Sequence, residues 1–126
     1  MELLVVDDEE TVGRMFAQRL RKEIREGAIV LHFATSGSDA LTVVRDRGSE
    51  LGVVLTDINM PGMSGFELLG RIRALAPGLK VFMVSAYEGD EFRRQALDLG
   101  ADGYFAKPLE FAELRSLLSL TSSPLP

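Results

Sequence analysis

Val53-Val54-Leu55-Thr56-Asp57-Ile58-Asn59-Met60-Pro61-Gly62-Met63-Ser64-Gly65 is the stretch on which the reading of this chain turns. Its first part is a short, continuous apolar run, the pattern of a strand covered on both faces. Its second part is a loop rich in turn formers. A carboxylate, Asp57, stands at the junction. The arrangement recurs. Leu3-Leu4-Val5-Val6 leads into Asp7-Asp8, the run 81–84 leads into Ser85, and a weaker run at 103–105 is followed by Lys107. With a further apolar run at 28–33, five strands are predicted.

Helix-period segments separate them. Val12, Met15, Phe16, Leu20 and Ile24 fall on one helical face, with Gly27 as a stop. Ala40, Leu41 and Val44 follow Ser36-Gly37-Ser38, which offers N-caps. Ser64-Gly65-Phe66-Glu67 has capping-box spacing before Leu69, Ile72 and Leu75, and Pro77-Gly78 ends that helix. Phe92, Ala96 and Leu99 make a fourth face that stops at Gly100. Phe111, Leu114, Leu117 and Leu118 make a fifth. Strict alternation of strands and helices predicts βαβ units, right-handed crossovers and a parallel sheet. Residues 1–120 are expected to form the domain. Residues 121–126, Ser- and Pro-rich, are expected to be a tail or the start of a linker.

Composition narrows the function. The 126 residues suit one domain, and a hydrophobic fraction of 46% can supply its core. A net charge of −5 argues against direct nucleic-acid binding, which needs clustered cations. The absence of cysteine excludes disulfides and thiolate metal sites. The start, Met1-Glu2-Leu3, lacks a basic leader, and no apolar run is long enough to span a membrane. A cytoplasmic protein with no membrane contact is expected.

In a parallel sheet all strand carboxyl ends point to one edge, so Asp7, Asp8, Asp57, Ser85 and Lys107 are expected to converge there. Crowded carboxylates repel unless a cation intervenes. A hard divalent ion with oxygen ligands, Mg²⁺ or Mn²⁺, answers that need. An aspartate nucleophile, such a metal and a lysine suffice for phosphoryl transfer to a carboxylate. Taken singly, each residue has a plainer reading. Asp-Asp after a strand is an N-cap, Asp57 a turn residue, Lys107 a surface lysine, and Tyr104 strand packing. His32, the one histidine, reads as structural. Arg21-Lys22 and Arg93-Arg94 read as solvated helix faces, and Met60 and Met63 as loop packing.

Five segments together carry a resemblance: Val5-Val6-Asp7-Asp8-Glu9, the run from Ala34 to Leu41, the run from Leu55 to Gly65, Val84-Ser85-Ala86, and Gly100-Ala101-Asp102-Gly103-Tyr104-Phe105-Ala106-Lys107-Pro108. In this order and spacing the chain resembles the response-regulator receiver domains of two-component signalling. The resemblance implies a flavodoxin-like (βα)5 three-layer sandwich with a five-stranded parallel sheet in the order 2-1-3-4-5. It implies Asp57 as phosphoacceptor and Asp8, Asp57 and the backbone carbonyl of Asn59 as metal ligands, with Asp7 acting through water. Lys107 would pair with the phosphoryl group, across a Lys107–Pro108 bond that is usually cis. Ser85 would be the switch hydroxyl and Tyr104 the switch aromatic. Asn59 and Tyr87 would tune the phosphoryl lifetime, and a bulky Tyr87 implies slow loss. The implied partner is a histidine kinase or histidine phosphotransfer protein. The implied output is a changed surface on the fourth helix, fifth strand and fifth helix (88–120), which controls homodimer formation or partner binding. The only chemistry catalysed would be the domain's own phosphorylation and dephosphorylation.

Two other readings stand beside it. A small phosphatase of α/β fold forming an aspartyl phosphate would carry a second acid where Asn59 stands. A flavodoxin-like nucleotide or flavin module would need a phosphate-cradling loop where Asp7-Asp8-Glu9-Glu10 stands.

Overall fold

The strands are apolar on both sides because both sides are covered. The computed structural model describes residues 1–86 and 89–122. Its strands are β1 (Glu2–Val6), β2 (Val30–Ala34), β3 (Leu51–Asp57), β4 (Lys80–Ser85) and β5 (Gly103–Ala106), all parallel, in the order β2-β1-β3-β4-β5. The helices are α1 (Glu10–Arg19), α2 (Arg21–Arg25), α3 (Gly37–Arg47), α4 (Gly65–Leu75), α5 (Asp90–Asp98) and α6 (Phe111–Ser122), with a 3-10 turn at Gly48–Glu50.

Successive strand residues serve opposite layers. Leu4, Val6, Val54, Val81 and Met83 pack against α3, α4 and α5 through Leu41, Val44, Leu68, Leu69, Ile72 and Ala96. Leu3, Val5, Val53, Leu55, Phe82 and Val84 pack on the other side, against Phe16, Leu20, Phe111, Leu114 and Leu118 of the α1–α2 and α6 layer. The expected three-layer sandwich is therefore present.

Caps behave largely as read. Ser36 Oγ accepts from the Asp39 amide at 3.1 Å and Ser64 Oγ from the Glu67 amide at 3.2 Å. The Glu67 carboxylate turns to Arg71 (3.4 Å).

Four features depart from expectation. The first helix is two pieces broken at Leu20, where φ is −105° and ψ is 15°. There the Arg19 carbonyl accepts a bond from Arg115 Nη2 at 2.8 Å, and Arg115 Nε reaches Glu23 at 2.9 Å. β2 begins at Val30 rather than residue 28. Gly27 turns at φ +78°, and the amides of Ala28 and Ile29 stay on the Glu23 carbonyl. Met15, Leu75 and Leu99, expected on core faces, are exposed. α6 runs to Ser122, so the first two residues of the expected tail are helical, and 123–126 lie outside the described residues.

Candidate functional site

The chain steps outward from β1 to β2 and then back across to β3, so the topological switch lies between β1 and β3 and opens a crevice at the carboxyl edge. Asp57 is the last residue of β3, and Asp7 and Asp8 directly follow β1. One carboxylate oxygen from each of the three lies within 4.8 Å of the others. Asp7 is buried, Asp57 half-buried and Asp8 exposed. Asp7 is the most tightly held. Its amide donates to the Ala34 carbonyl (3.1 Å), its Oδ1 accepts from the Glu9 amide (3.0 Å), and its Oδ2 accepts from Lys107 Nζ (3.0 Å).

Lys107 reaches the acids from the far side of the sheet. Its amide donates to the Ser85 carbonyl at 2.8 Å, which sets the end of β5 beside the end of β4. Its ammonium lies 3.6 Å from Asp57 Oδ2 as well as 3.0 Å from Asp7. The Lys107–Pro108 bond is cis. Ser85 is fully buried at the end of β4. The five residues predicted to converge on this edge therefore do so. Asn59 is exposed in the loop after β3. Tyr104 is half-buried on β5 against the α3–α5 layer, in register with Met83. Tyr87 lies outside the described residues.

The electrostatics follow from this crowding. Burial pushes the Asp57 carboxyl above its ordinary range. Asp7 and Asp8 push the same way, and Lys107 and the Ile58 amide oppose them. Burial disfavours the Lys107 ammonium, but the hydrogen bond to Asp7 and the charge of Asp57 outweigh it, so that proton is held more firmly than usual. Three carboxylates against one ammonium leave two negative charges, all on oxygen. That donor set fits a hard divalent cation such as Mg²⁺ and offers nothing to a soft one.

Two contributors had little signal in the sequence. Gly65 opens α4, and its amide bonds the Ile58 carbonyl at 2.8 Å. A Cβ there would stand 2.2 Å from the Asp57 carbonyl oxygen, so only glycine lets the loop fold back onto the strand end. Read as part of a capping box, it gave no hint of that approach. Thr56, the one polar residue inside β3's buried run, is fully buried, and its hydroxyl donates to the Asp57 carbonyl at 3.0 Å. Beside the acids a cleft of about 500 Å³ runs between α1 and the start of α6, lined by Val12, Met15, Phe16, Leu109 and Phe111 together with Asp7, Asp57 and Lys107. A larger cleft, about 750 Å³, lies between α1–α2 and α6 and contains none of the site residues.

Residues 3–119 match the response regulator receiver domain model. The chain belongs to the response-regulator receiver family. Response regulator RppA of Synechocystis sp. is 33% identical over 118 residues, covering 94% of this receiver and 49% of RppA. An uncharacterised 14.6 kDa protein of Leptolyngbya boryana is 36% identical over 120 residues, covering 94% of this receiver and 87% of that protein. Among solved structures, a chain of the CheX–CheY–BeF3–Mg²⁺ complex from Borrelia burgdorferi superposes with a TM-score of 0.84 at 24% identity, over 95% of this receiver and 87% of that chain. This receiver spans about half the length of regulators such as RppA. Among the described residues no helix is long and apolar enough to cross a membrane.

Proposed function

We propose that this receiver takes a phosphoryl group from a phosphohistidine partner, a histidine kinase or phosphotransfer protein in the cytoplasm, onto Asp57. The observation that carries the reading is the gathering of three carboxylates within 4.8 Å of one another, with Lys107 Nζ 3.6 Å from Asp57. An Asp57 oxygen attacks phosphorus, the phosphorus–nitrogen bond of the donor breaks, and the imidazole leaves. Lys107 neutralises charge on the incoming phosphoryl oxygens, and the Ser85 hydroxyl bonds one of them once the group has arrived. Asp8, Asp57 and the Asn59 carbonyl would hold Mg²⁺, with Asp7 acting through water. The bound ion supplies further neutralisation of phosphoryl oxygens. The Borrelia burgdorferi relative was captured with BeF3 and Mg²⁺, which supports the same chemistry here.

The phosphoryl group then acts as a local charge that biases a two-state element. Ser85 moves towards it, Tyr104 turns inward, and the α5-β5-α6 surface changes, altering dimer formation or partner binding. The lifetime of the state is set by Asn59 and Tyr87. The domain turns over no other substrate. Membership of the receiver family favours this reading over the small-phosphatase and flavin-module alternatives.

The test is intact-mass measurement after incubation with acetyl phosphate and Mg²⁺. Wild type should gain one phosphoryl group, and Asp57→Asn should gain none. An Asp57→Asn protein labelled at the wild-type rate would overturn the assignment. Replacing Tyr87 by Ala should shorten the life of the phosphorylated form, and an unchanged or longer life would remove Tyr87 from the account.

A further inference from the structure

Thr56 interrupts an otherwise apolar stretch of β3. It pairs in register with Val6 of β1 and Met83 of β4, and all three residues are buried. Valine has nearly the same shape and would fill that place without taking a hydroxyl out of water, a step that costs free energy unless the hydroxyl finds a partner. Packing therefore gives no reason for the hydroxyl. Its bond does, since Thr56 Oγ1 donates to the Asp57 carbonyl at 3.0 Å.

The direction of that bond decides what it does. Successive strand residues face opposite layers. Thr56 shares the face of Val54, which packs against the α3–α5 layer, and Asp57 shares the face of Leu55, which packs against α1 and α6. The peptide joining Asp57 to Ile58 is trans and planar, so its C=O and N–H point opposite ways. With the carbonyl drawn to the face of Thr56, the Ile58 N–H turns to the face of the Asp57 carboxylate, where it opposes the upward push of burial on that group. Gly65 keeps the unit in that setting. Its amide holds the next carbonyl, that of Ile58, at 2.8 Å, and its missing side chain leaves room for the Asp57 carbonyl oxygen, which lies 2.2 Å from where a Cβ would stand.

We propose that Thr56 is a positioning residue for the phosphoacceptor. Its hydroxyl fixes the 57–58 peptide, and the N–H end of that peptide sets the orientation of the Asp57 carboxylate. The setting belongs to the resting protein, and its use in phosphoryl transfer rests on the function proposed above. Attack on phosphorus needs the carboxylate in one orientation, so holding it there beforehand speeds the step without tightening the grip on the donor.

Thr56→Val removes the hydroxyl and keeps the shape, whereas Thr56→Ser keeps the hydroxyl. Both variants of the full chain are read in two ways. Without phosphoryl donor or metal, hydrogen exchange by NMR should show the Ile58 amide of Thr56→Val exchanging about fivefold faster than in wild type, the size of one hydrogen bond, with the Val54 and Leu55 amides within about twofold. With acetyl phosphate and Mg²⁺, intact-mass kinetics should show the maximal phosphorylation rate of Thr56→Val falling about fivefold, while the half-saturating acetyl phosphate concentration stays within about twofold. Thr56→Ser should follow wild type in both. Should Thr56→Val not fold, Thr56→Ala against Thr56→Ser isolates the same hydroxyl. Ile58 exchange that ignores the hydroxyl, or a phosphorylation rate that follows the methyl group instead, would overturn the inference. A wild type that takes no phosphoryl group would sink the function proposed above and the use of Thr56 in transfer with it, while the exchange result alone decides whether Thr56 holds the peptide.

Discussion

The two edges of this sheet treat carboxylates in opposite ways. At the amino edge, Glu2 at the start of β1 accepts from Arg47 Nε and Nη2 at 3.0 and 2.7 Å and contacts His32 Nε2 at 2.7 Å. Asp102, just before β5, is held by Arg73 and the Val81 amide, with Lys80 at 3.8 Å. Glu2 is pulled down to about 2, first by the Arg47 hydrogen bond and then by His32. At the carboxyl edge three carboxylates share one ammonium, and Asp57 is pushed up. Cation and anion are matched where the fold is held together and mismatched where a ligand is to be received. The mismatch is a cost to folding that binding a cation or losing a charge relieves.

The largest expected effect comes from deepening the mismatch. Lys107→Ala removes the one cation within 3.6 Å of Asp57 among the described residues. It should slow phosphorylation by about 10²–10³-fold, the usual cost of removing one group that stabilises developing oxyanion charge. A rate within a few-fold of wild type would mean that Lys107 serves the resting ion pair alone. Next in size is Gly65→Ala. Its Cβ would meet the Asp57 carbonyl at 2.2 Å and the Ile58 Cα at 2.8 Å, so the strand end or the helix must move. Denaturant unfolding should show a loss of about 1–3 kcal/mol, with phosphorylation impaired in the folded fraction. At Gly70, where a Cβ meets nothing within 4 Å, the same change should not destabilise.

Much of the carboxyl edge was legible because its residues follow continuous apolar runs, and parallel pairing brings every such end together whatever the strand order. The order itself is a long-range choice. It came from the resemblance and agrees with the structure. The amino edge was far less legible. Glu2, Arg47, Arg73 and Asp102 carry no local pattern, and their partners lie 45 and 29 residues away in sequence. His32 was read as structural, and its contact with Glu2 was not foreseen. The break at Leu20 belongs to the same class. Nothing in residues 10–25 marks it, whereas Arg115 of α6 takes the Arg19 carbonyl from 96 residues away. Met15, Leu75 and Leu99 fell on the apolar stripe by spacing, yet each helix buries a narrower stripe than its sequence offers.

Glu2→Gln tests the matched edge. The folded-state value near 2 lies below the ordinary 4.5, so the ionised carboxylate favours the fold. Its contribution is complete above pH 4.5 and is lost as pH falls towards 2. The melting temperature of the variant should therefore lie below wild type at pH 7, modestly because the pair is partly solvated, and the gap should close on acidification across that window.

The smallest effect, and the one that separates the two edges most directly, is the stability of Asp57→Asn. The Asp57 carboxyl titrates above its ordinary 3.8 in the folded state, so the fold prefers it protonated. The ionised form costs stability at every pH above the folded value, and that cost is absent below 3.8. In metal-free buffer at pH 7 the variant should melt above wild type, with a gap that vanishes as pH drops below the carboxylate range, a pH response opposite in sign to that of Glu2→Gln. Mg²⁺ should reverse the ranking, since a ligand at a hundred times its dissociation constant adds about 2.7 kcal/mol to the protein that binds it. The variant has lost one of three clustered carboxylates and gains less. If Asp57→Asn melts below wild type without metal at pH 7, the carboxyl edge is matched like the amino edge, and the contrast between them fails.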